Sequence, residues 1–127
     1  MILVDSDVII WNWRGNDKAA TLLATMSDMC VSAVTYMELV QTMRNQREWK
    51  NLQADLKLWQ AFVLPITETI SARAVKLVEA HFRSHHLQLA HALIAATALE
   101  HRVPLLTGNV KHFKAIKGLK IKPFTVN

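Results

Sequence analysis

Short apolar runs alternate along the chain with longer segments in which apolar and polar residues recur at helical spacing. Residues 2–4, 30–32 and 104–107 are compact, mainly apolar runs bounded by polar or turn residues, and each predicts a buried strand. Residues 63–66 predict an edge strand, because the proline in this run cannot donate a hydrogen bond to a neighbouring strand. Residues 119–124 alternate apolar with basic side chains and predict a second edge strand.

The segments between these runs have the apolar periodicity and the start signals of helices. Thr35 and Glu38 have the spacing of a capping box, so one helix is predicted to begin there and to continue to about residue 44. The polar residues 45–51 predict a connection between two helices. The other predicted helices cover residues 19–29, 52–62, 67–81 and 87–101, with a short basic helix or loop at 111–116.

Strands that alternate with helices predict an α/β fold with a mainly parallel central sheet and helices on both of its faces. The chain shows no internal repeat, linker or low-complexity segment, so its 127 residues are expected to form one domain. The hydrophobic content of 51%, with three glycines and three prolines, argues against a disordered chain and against an all-β sandwich.

Charge and cysteine content narrow the functional class. A net charge of +5 and an isoelectric point near 9.7 favour a polyanionic partner, and nucleic acid is the leading class. The single Cys30 excludes an internal disulfide framework and indicates a reducing cytoplasm. No signal peptide is visible, and the longest apolar run, residues 92–99, is too short to span a bilayer. We therefore expect a cytoplasmic protein without a membrane partner.

Polar side chains follow the three predicted buried strands. Asp5 comes directly after the first strand, Glu38 follows the second, and Thr107 with Asn109 follows the third. The carboxyl ends of parallel strands meet at one edge of a sheet, where ligands bind, and carboxylates at such an edge suit Mg²⁺. Local alternatives exist for each residue. Asp5 is also compatible with a solvated strand end, and Glu38 with closure of the capping box. Asp7 is compatible with capping of the next helix, and Asn109 with a turn or a helix cap.

Two sets of histidines are candidate ligands. His91 lies in the predicted helix 87–101, on the face that packs inward, either as a site residue or as a hydrogen-bonded core histidine. His81 and His85, with His86 beside them, have the spacing that places two imidazoles on one helical face for a transition metal. No third well-spaced ligand accompanies them, so we interpret these three histidines as a solvated basic surface.

Four segments carry a family resemblance, and they span nearly the whole chain: Ile-Leu-Val-Asp-Ser-Asp-Val-Ile-Ile at 2–10, Val-Ser-Ala-Val-Thr-Tyr-Met-Glu-Leu at 31–39, Leu-Ala-His-Ala-Leu-Ile-Ala-Ala-Thr-Ala at 89–98, and Leu-Leu-Thr-Gly-Asn-Val-Lys-His-Phe at 105–113. In this order they resemble the PIN-domain ribonucleases, and most of all the VapC-type toxins of bacterial and archaeal toxin–antitoxin pairs. The resemblance implies an α/β fold, Mg²⁺ or Mn²⁺ held by clustered acids, endonucleolytic cleavage of RNA, a homodimer, and inhibition by a cognate antitoxin.

The resemblance also assigns roles by position. Asp5 matches the first metal-binding acid of the family, Glu38 matches the second, and Asn109 stands at the fourth position, where the family has Asp or Asn. His91 stands at the third position, where the family has Asp, and Gly108 stands where Arg is frequent. These four matched residues are therefore implied to be catalytic and metal-ligating, with Mg²⁺ affinity and turnover weakened by the histidine.

Substrate contacts are predicted from residues near the third junction. Lys111 and Thr107 are the candidate substrate-binding residues, and Lys114, Lys117 and Arg14 are further candidates for phosphate contacts, which would weaken with salt. Each basic residue taken singly is equally compatible with an ordinary solvated surface.

Two other functional classes fit parts of the pattern. Asp5 and Asp7 after an apolar strand loosely match the first motif of haloacid dehalogenase-type phosphatases, but no paired acids follow a late strand to hold Mg²⁺. We therefore reject that class. A PIN fold that has lost its chemistry and acts as an RNA- or protein-binding module stays an alternative because of His91.

An apolar set near the N-terminal helix predicts association with other chains. It consists of Trp11, Trp13, Met26 and Met29. Aromatic residues and methionine are enriched at interface cores, so the set predicts a homodimer surface or a groove for an antitoxin helix. The alternative is that these side chains fill the core.

Overall fold

A five-stranded sheet forms the centre of the computed structural model, which describes all 127 residues, and every neighbouring pair of strands is parallel. The strands are β1 (Ile2–Val4), β2 (Met29–Ser32), β3 (Phe62–Leu64), β4 (Leu105–Thr107) and β5 (Ile121–Pro123). Their order, β3-β2-β1-β4-β5, places β1 in the middle. The predicted parallel α/β fold is confirmed. Because β1 and β4 are neighbouring parallel strands, their carboxyl ends lie side by side.

Seven helices connect the strands: α1 (Ser6–Trp13), α2 (Asp17–Thr25), α3 (Ala33–Gln41), α4 (Gln46–Leu58), α5 (Glu68–His81), α6 (Leu89–His101) and α7 (Val110–Phe113). They cover both faces of the sheet, as the alternation of strands and helices predicts. None of the seven is long and apolar enough to cross a membrane.

Each central strand contributes to two hydrophobic cores, because neighbouring residues of a strand point to opposite faces of the sheet. Leu3 of β1 belongs to a core that includes Ile94 of α6 and Ile70 of α5. The next residue, Val4, belongs to a second core with Leu23 of α2 and Leu52 of α4. The buried strands are apolar on both faces for this reason, which is typical of parallel sheets covered on both sides.

The start of α3 differs from the prediction. Ser32, the last residue of β2, is the N-cap, and its hydroxyl accepts a hydrogen bond of 3.1 Å from the amide of Val34. The Thr35 hydroxyl is buried and has no hydrogen-bond partner. The predicted capping box between Thr35 and Glu38 is therefore wrong, because the chain turns into the helix directly at the end of the strand.

Two further element boundaries differ from the prediction. The segment after β1 forms α1 at once, with Asp5 as its N-cap, whereas helix capping was an alternative role for Asp7. The predicted connection at 45–51 is wrong beyond its first residue, because α4 begins at Gln46 and the Asn45 side chain caps it through the amide of Glu48.

The predicted apolar set near the N-terminus does not form one exposed surface. Met29 is fully buried, and Trp11 and Met26 are half-buried against the second core. Trp13 is partly exposed and donates a hydrogen bond of 2.8 Å from its indole nitrogen to Asp55. Three of the four side chains thus pack on the core, which was the alternative interpretation.

Candidate active site

Asp5 is held at the carboxyl end of β1 by its two flanking segments. One carboxylate oxygen, Oδ1, accepts a hydrogen bond of 2.8 Å from the amide of Ser6, which makes Asp5 the N-cap of α1. The other, Oδ2, accepts one of 2.7 Å from the hydroxyl of Thr107 at the end of β4. The side chain is buried, so the solvated alternative for Asp5 is excluded. Its carboxylate has a fixed orientation at the centre of the sheet edge.

Thr107 acts as a link between Asp5 and the next turn. Its hydroxyl donates to Asp5 and accepts a hydrogen bond of 3.0 Å from the amide of Asn109. The residue is completely buried. In this arrangement the hydroxyl of Thr107 positions Asp5 and is not exposed for the predicted contact with substrate. Asn109 precedes α7, but its side chain makes no capping hydrogen bond, so its amide group is not engaged in the alternative role.

Asp7 is a site residue that the sequence pattern assigned to helix capping. Its Oδ2 accepts a hydrogen bond of 2.8 Å from the amide of Gly108, and its Oδ1 is buried without any partner. Burial and the neighbouring charge of Asp5 raise the pKa of Asp7 from 3.8 to about 6. The one sequence signal for this contact is the glycine at position 108. A Cβ there would lie 2.6 Å from Asp7 Oδ2, so the close approach of Asp7 leaves no room for a side chain.

Glu38 makes no capping hydrogen bond to the start of its own helix, which is capped by Ser32. Its Oε1 is buried and has no hydrogen-bond partner. Burial, and then the charge of Asp5, raise the pKa of the Glu38 carboxyl. Asp5, Asp7 and Glu38 are thus electrostatically coupled, and we call these three side chains the acidic cluster.

His91 is half-buried on α6 beside the acidic cluster. Its ring stacks on His112 of α7, with centroids 4.8 Å apart and an angle of 24° between the planes. It also meets Phe113 edge-on, with centroids 5.1 Å apart. Burial and His112 lower the pKa of His91, although the charge of Asp5 acts in the opposite direction. The net effect favours the neutral imidazole over the imidazolium.

The other predicted residues lie at the margin of the site or outside it. Lys111 is exposed on α7 next to Asn109. His81 and His85 lie at the end of α5 with ring centroids 5.4 Å apart, and His86 is exposed beside them. Nowhere in the chain do three His, Cys, Asp or Glu side chains form a group that could hold a metal ion by itself. The interpretation of the α5 histidines as surface residues is thus retained.

The donor set of the acidic cluster nevertheless fits a hard divalent cation. Mg²⁺ is bound in proteins by one or two carboxylates, while waters and substrate phosphates complete its octahedron. Two buried carboxylate oxygens, on Asp7 and Glu38, have no hydrogen-bond partner, and such groups are costly to leave unsatisfied. Oxygen ligands are also available on Asp5 and Asn109. The residues present therefore suit a cation with an incomplete protein shell.

Comparison with known proteins gives one family and a set of similar folds. The sequence matches the PIN domain family over residues 2–119. It is 39% identical to Ribonuclease VapC10 of Mycobacterium tuberculosis over 132 aligned positions, which cover 99% of this chain and 95% of that protein.

Solved structures with the same fold come from toxin–antitoxin complexes. A toxin–antitoxin complex from Klebsiella pneumoniae contains a chain with 28% identity and a TM-score of 0.76, covering 100% of this chain and 98% of that one. VapBC2 from Rickettsia felis, bound to a promoter DNA fragment, has a chain with 16% identity and a TM-score of 0.80, covering 98% of this chain and 100% of that one. At this low identity, the similarity to VapBC2 shows a shared fold only.

Proposed function

Because this chain belongs to the PIN-domain family, we propose that it is a divalent-metal-dependent endoribonuclease and the toxin of a VapC-type toxin–antitoxin pair. The observation that carries the chemistry is the acidic cluster around the buried Asp5, with its two unpartnered carboxylate oxygens. The ribonuclease role is supported by the identity to Ribonuclease VapC10, and the toxin role by the likeness to chains of toxin–antitoxin complexes. The basic net charge of +5 agrees with an RNA substrate.

The residues of the site have separate tasks in this proposal. Asp5, Glu38 and Asn109, together with Asp7, hold a Mg²⁺ or Mn²⁺ ion. When bound, such an ion polarises the scissile phosphate and lowers the pKa of the attacking water. Thr107 orients Asp5 through its hydroxyl, and the amide of Gly108 orients Asp7. Lys111, exposed beside Asn109, contacts the phosphates of the substrate.

The unusual residue of the site is His91. It stands where a further carboxylate would complete the acidic cluster, and its imidazole is a poor ligand for Mg²⁺ but a better one for Mn²⁺. We propose that the enzyme binds Mg²⁺ weakly and cleaves RNA faster with Mn²⁺. Burial, and then the charge of Asp5, raise the pKa values of Asp7 and Glu38, and a bound cation would offset both effects.

A cleavage assay on single-stranded RNA tests the proposed activity. We expect internal cleavage with Mn²⁺, slower cleavage with Mg²⁺, and none with EDTA. Cleavage that continues in EDTA would contradict the metal requirement. Binding of RNA without cleavage in either metal would favour the alternative, a PIN domain that has lost its chemistry and acts as a binding module.

We also propose two protein partners. The first is a cognate antitoxin, supported by the toxin–antitoxin complexes among the similar structures. The second is another copy of this chain, for which a surface different from the predicted apolar set is available. Two adjoining open grooves, of about 620 and 440 Å³, are lined by four exposed apolar residues: Met37, Ile66, Val75 and Leu89. We call these four residues the apolar face. Exposed apolar side chains that cluster on one face are typical of an interaction site.

Leu89→Glu is expected to prevent dimer formation, because it places a charge on the apolar face. Leu58→Glu is the matched control: Leu58 is 76% exposed and Leu89 is 71% exposed, but Leu58 lines neither groove. Sedimentation velocity should show a dimer for the wild type and for Leu58→Glu, and a monomer for Leu89→Glu. A wild-type monomer at high concentration, or equal behaviour of the two variants, would refute this interface.

A further inference from the structure

His112, which stacks on His91, has no task in the chemistry described above. The two rings lie nearly parallel, with centroids 4.8 Å apart. Phe113, which is fully buried, supports His91 edge-on from the core. His112 is the exposed member of the pair. The rings of Phe113, His91 and His112 thus form a continuous series of contacts from the core to the surface, and the last ring is exposed to solvent.

The arrangement of the two rings is unsuited to chelation of a metal ion. The lone pair of an imidazole nitrogen lies in the plane of its ring. In two nearly parallel stacked rings, these lone pairs run side by side and do not converge on one point. No third ligating side chain completes a site there either. What the pair offers to a ligand is therefore the flat outer face of His112.

This face has a fixed position relative to the acidic cluster. The amide of His112 donates a hydrogen bond of 3.0 Å to the carbonyl of Asn109. The amide of Asn109 in turn donates to Thr107, whose hydroxyl donates to Asp5. A path of three hydrogen bonds thus connects His112 to the carboxylate of Asp5. Lys111, its neighbour on the same short helix, is exposed and available to a phosphate.

We propose that the exposed face of His112 is a stacking platform for an unpaired nucleobase adjacent to the scissile phosphate. The inference rests on the proposed ribonuclease function and assigns His112 as a substrate-positioning residue. Proteins read single-stranded RNA by stacking splayed bases on aromatic side chains, histidine included, while cations hold the backbone. A base within a continuous duplex has no free face to offer, so the platform selects single-stranded segments.

Binding of two short oligomers separates stacking from attraction of phosphates. One is a fluorescently labelled decamer of adenylate, and the other is a ribose-phosphate decamer without bases. Fluorescence anisotropy at low salt in EDTA keeps the RNA intact. We expect the wild type to prefer the adenylate oligomer, and His112→Ala to weaken that binding by about fivefold or more while leaving the baseless oligomer unaffected.

Three further variants serve as controls. His112→Phe keeps an aromatic face and should retain the preference. His101→Ala removes another exposed histidine, at the end of α6, and should change nothing. Lys111→Ala should weaken binding of both oligomers alike and reduce the salt dependence. Thermal melting checks that each variant is folded.

The outcomes distinguish this inference from the proposed function. Equal binding of the two oligomers by the wild type, or a preference that survives in His112→Ala, would overturn the platform. Cleavage of the adenylate oligomer with Mn²⁺, measured separately, reports on the nuclease activity. An active nuclease without a preference for bases would thus refute the platform alone.

Discussion

Replacement of Asp5 by asparagine is expected to reduce metal-dependent RNA cleavage by about a hundredfold or more, because a bound cation contributes several kcal/mol of transition-state stabilisation. Asparagine has nearly the same shape as aspartate, and its amide oxygen can still accept a hydrogen bond from the Thr107 hydroxyl or the Ser6 amide. The variant therefore removes the central charge with little change in packing. Initial rates on single-stranded RNA with Mn²⁺, over a range of metal concentrations, measure the effect.

Asp28→Asn is the matched control for this substitution. Asp28 is exposed and has a φ of 56°, a conformation that asparagine also adopts readily. The change removes the same charge away from the acidic cluster and should leave the cleavage rate unchanged. An Asp5→Asn variant that retains wild-type activity would show that the chemistry takes place elsewhere.

The second large effect is expected from His91→Asp, which adds a carboxylate to the acidic cluster. We expect Mg²⁺ to bind about tenfold more tightly or better, and Mg²⁺-dependent cleavage to rise accordingly. In the absence of a cation the added charge should raise the pKa of Asp7 further above its value of about 6. Isothermal calorimetry with Mg²⁺ and an RNA time course measure the two gains.

Two companion variants make the His91 result specific. His91→Asn removes the imidazole in the same way but adds no charge, so it should gain little Mg²⁺ affinity. Asp5→Ala in the His91→Asp background should abolish the gain in cleavage. If the wild type already binds Mg²⁺ tightly and His91→Asp adds nothing, position 91 lies outside the metal shell.

The sheet and the identity of its central acid were predictable from local sequence. β1, β2 and β4 are short apolar runs, and parallel strands bring their carboxyl ends to one edge. The position of Asp5 at this edge therefore follows from local sequence alone. The inward orientation of His91 also followed from helical periodicity, since an alanine-rich helix packs closely on the sheet.

The remaining features depend on contacts between distant segments. Glu38 has the local spacing of a capping box, and only the use of Ser32 as the N-cap shows that its carboxyl is not engaged there. Asp7 is fixed by the amide of Gly108, which is 101 residues away along the chain. The stacking of His91 on His112 likewise joins α6 to α7. No pattern within a window of ten or fifteen residues contains such pairs.

The most direct measurement of the central claim, that the acidic cluster holds a divalent cation, is a calorimetric titration with Mn²⁺ at pH 6 in two buffers of different ionisation enthalpy. With a pKa of about 6, Asp7 is roughly half protonated at this pH in the absence of metal. Binding of the cation must displace that proton, since a ligating carboxyl is deprotonated. We predict binding with release of about half a proton, and loss of both binding and release in Asp5→Asn. Absence of Mn²⁺ binding to the wild type, or unchanged binding to Asp5→Asn, would contradict the account.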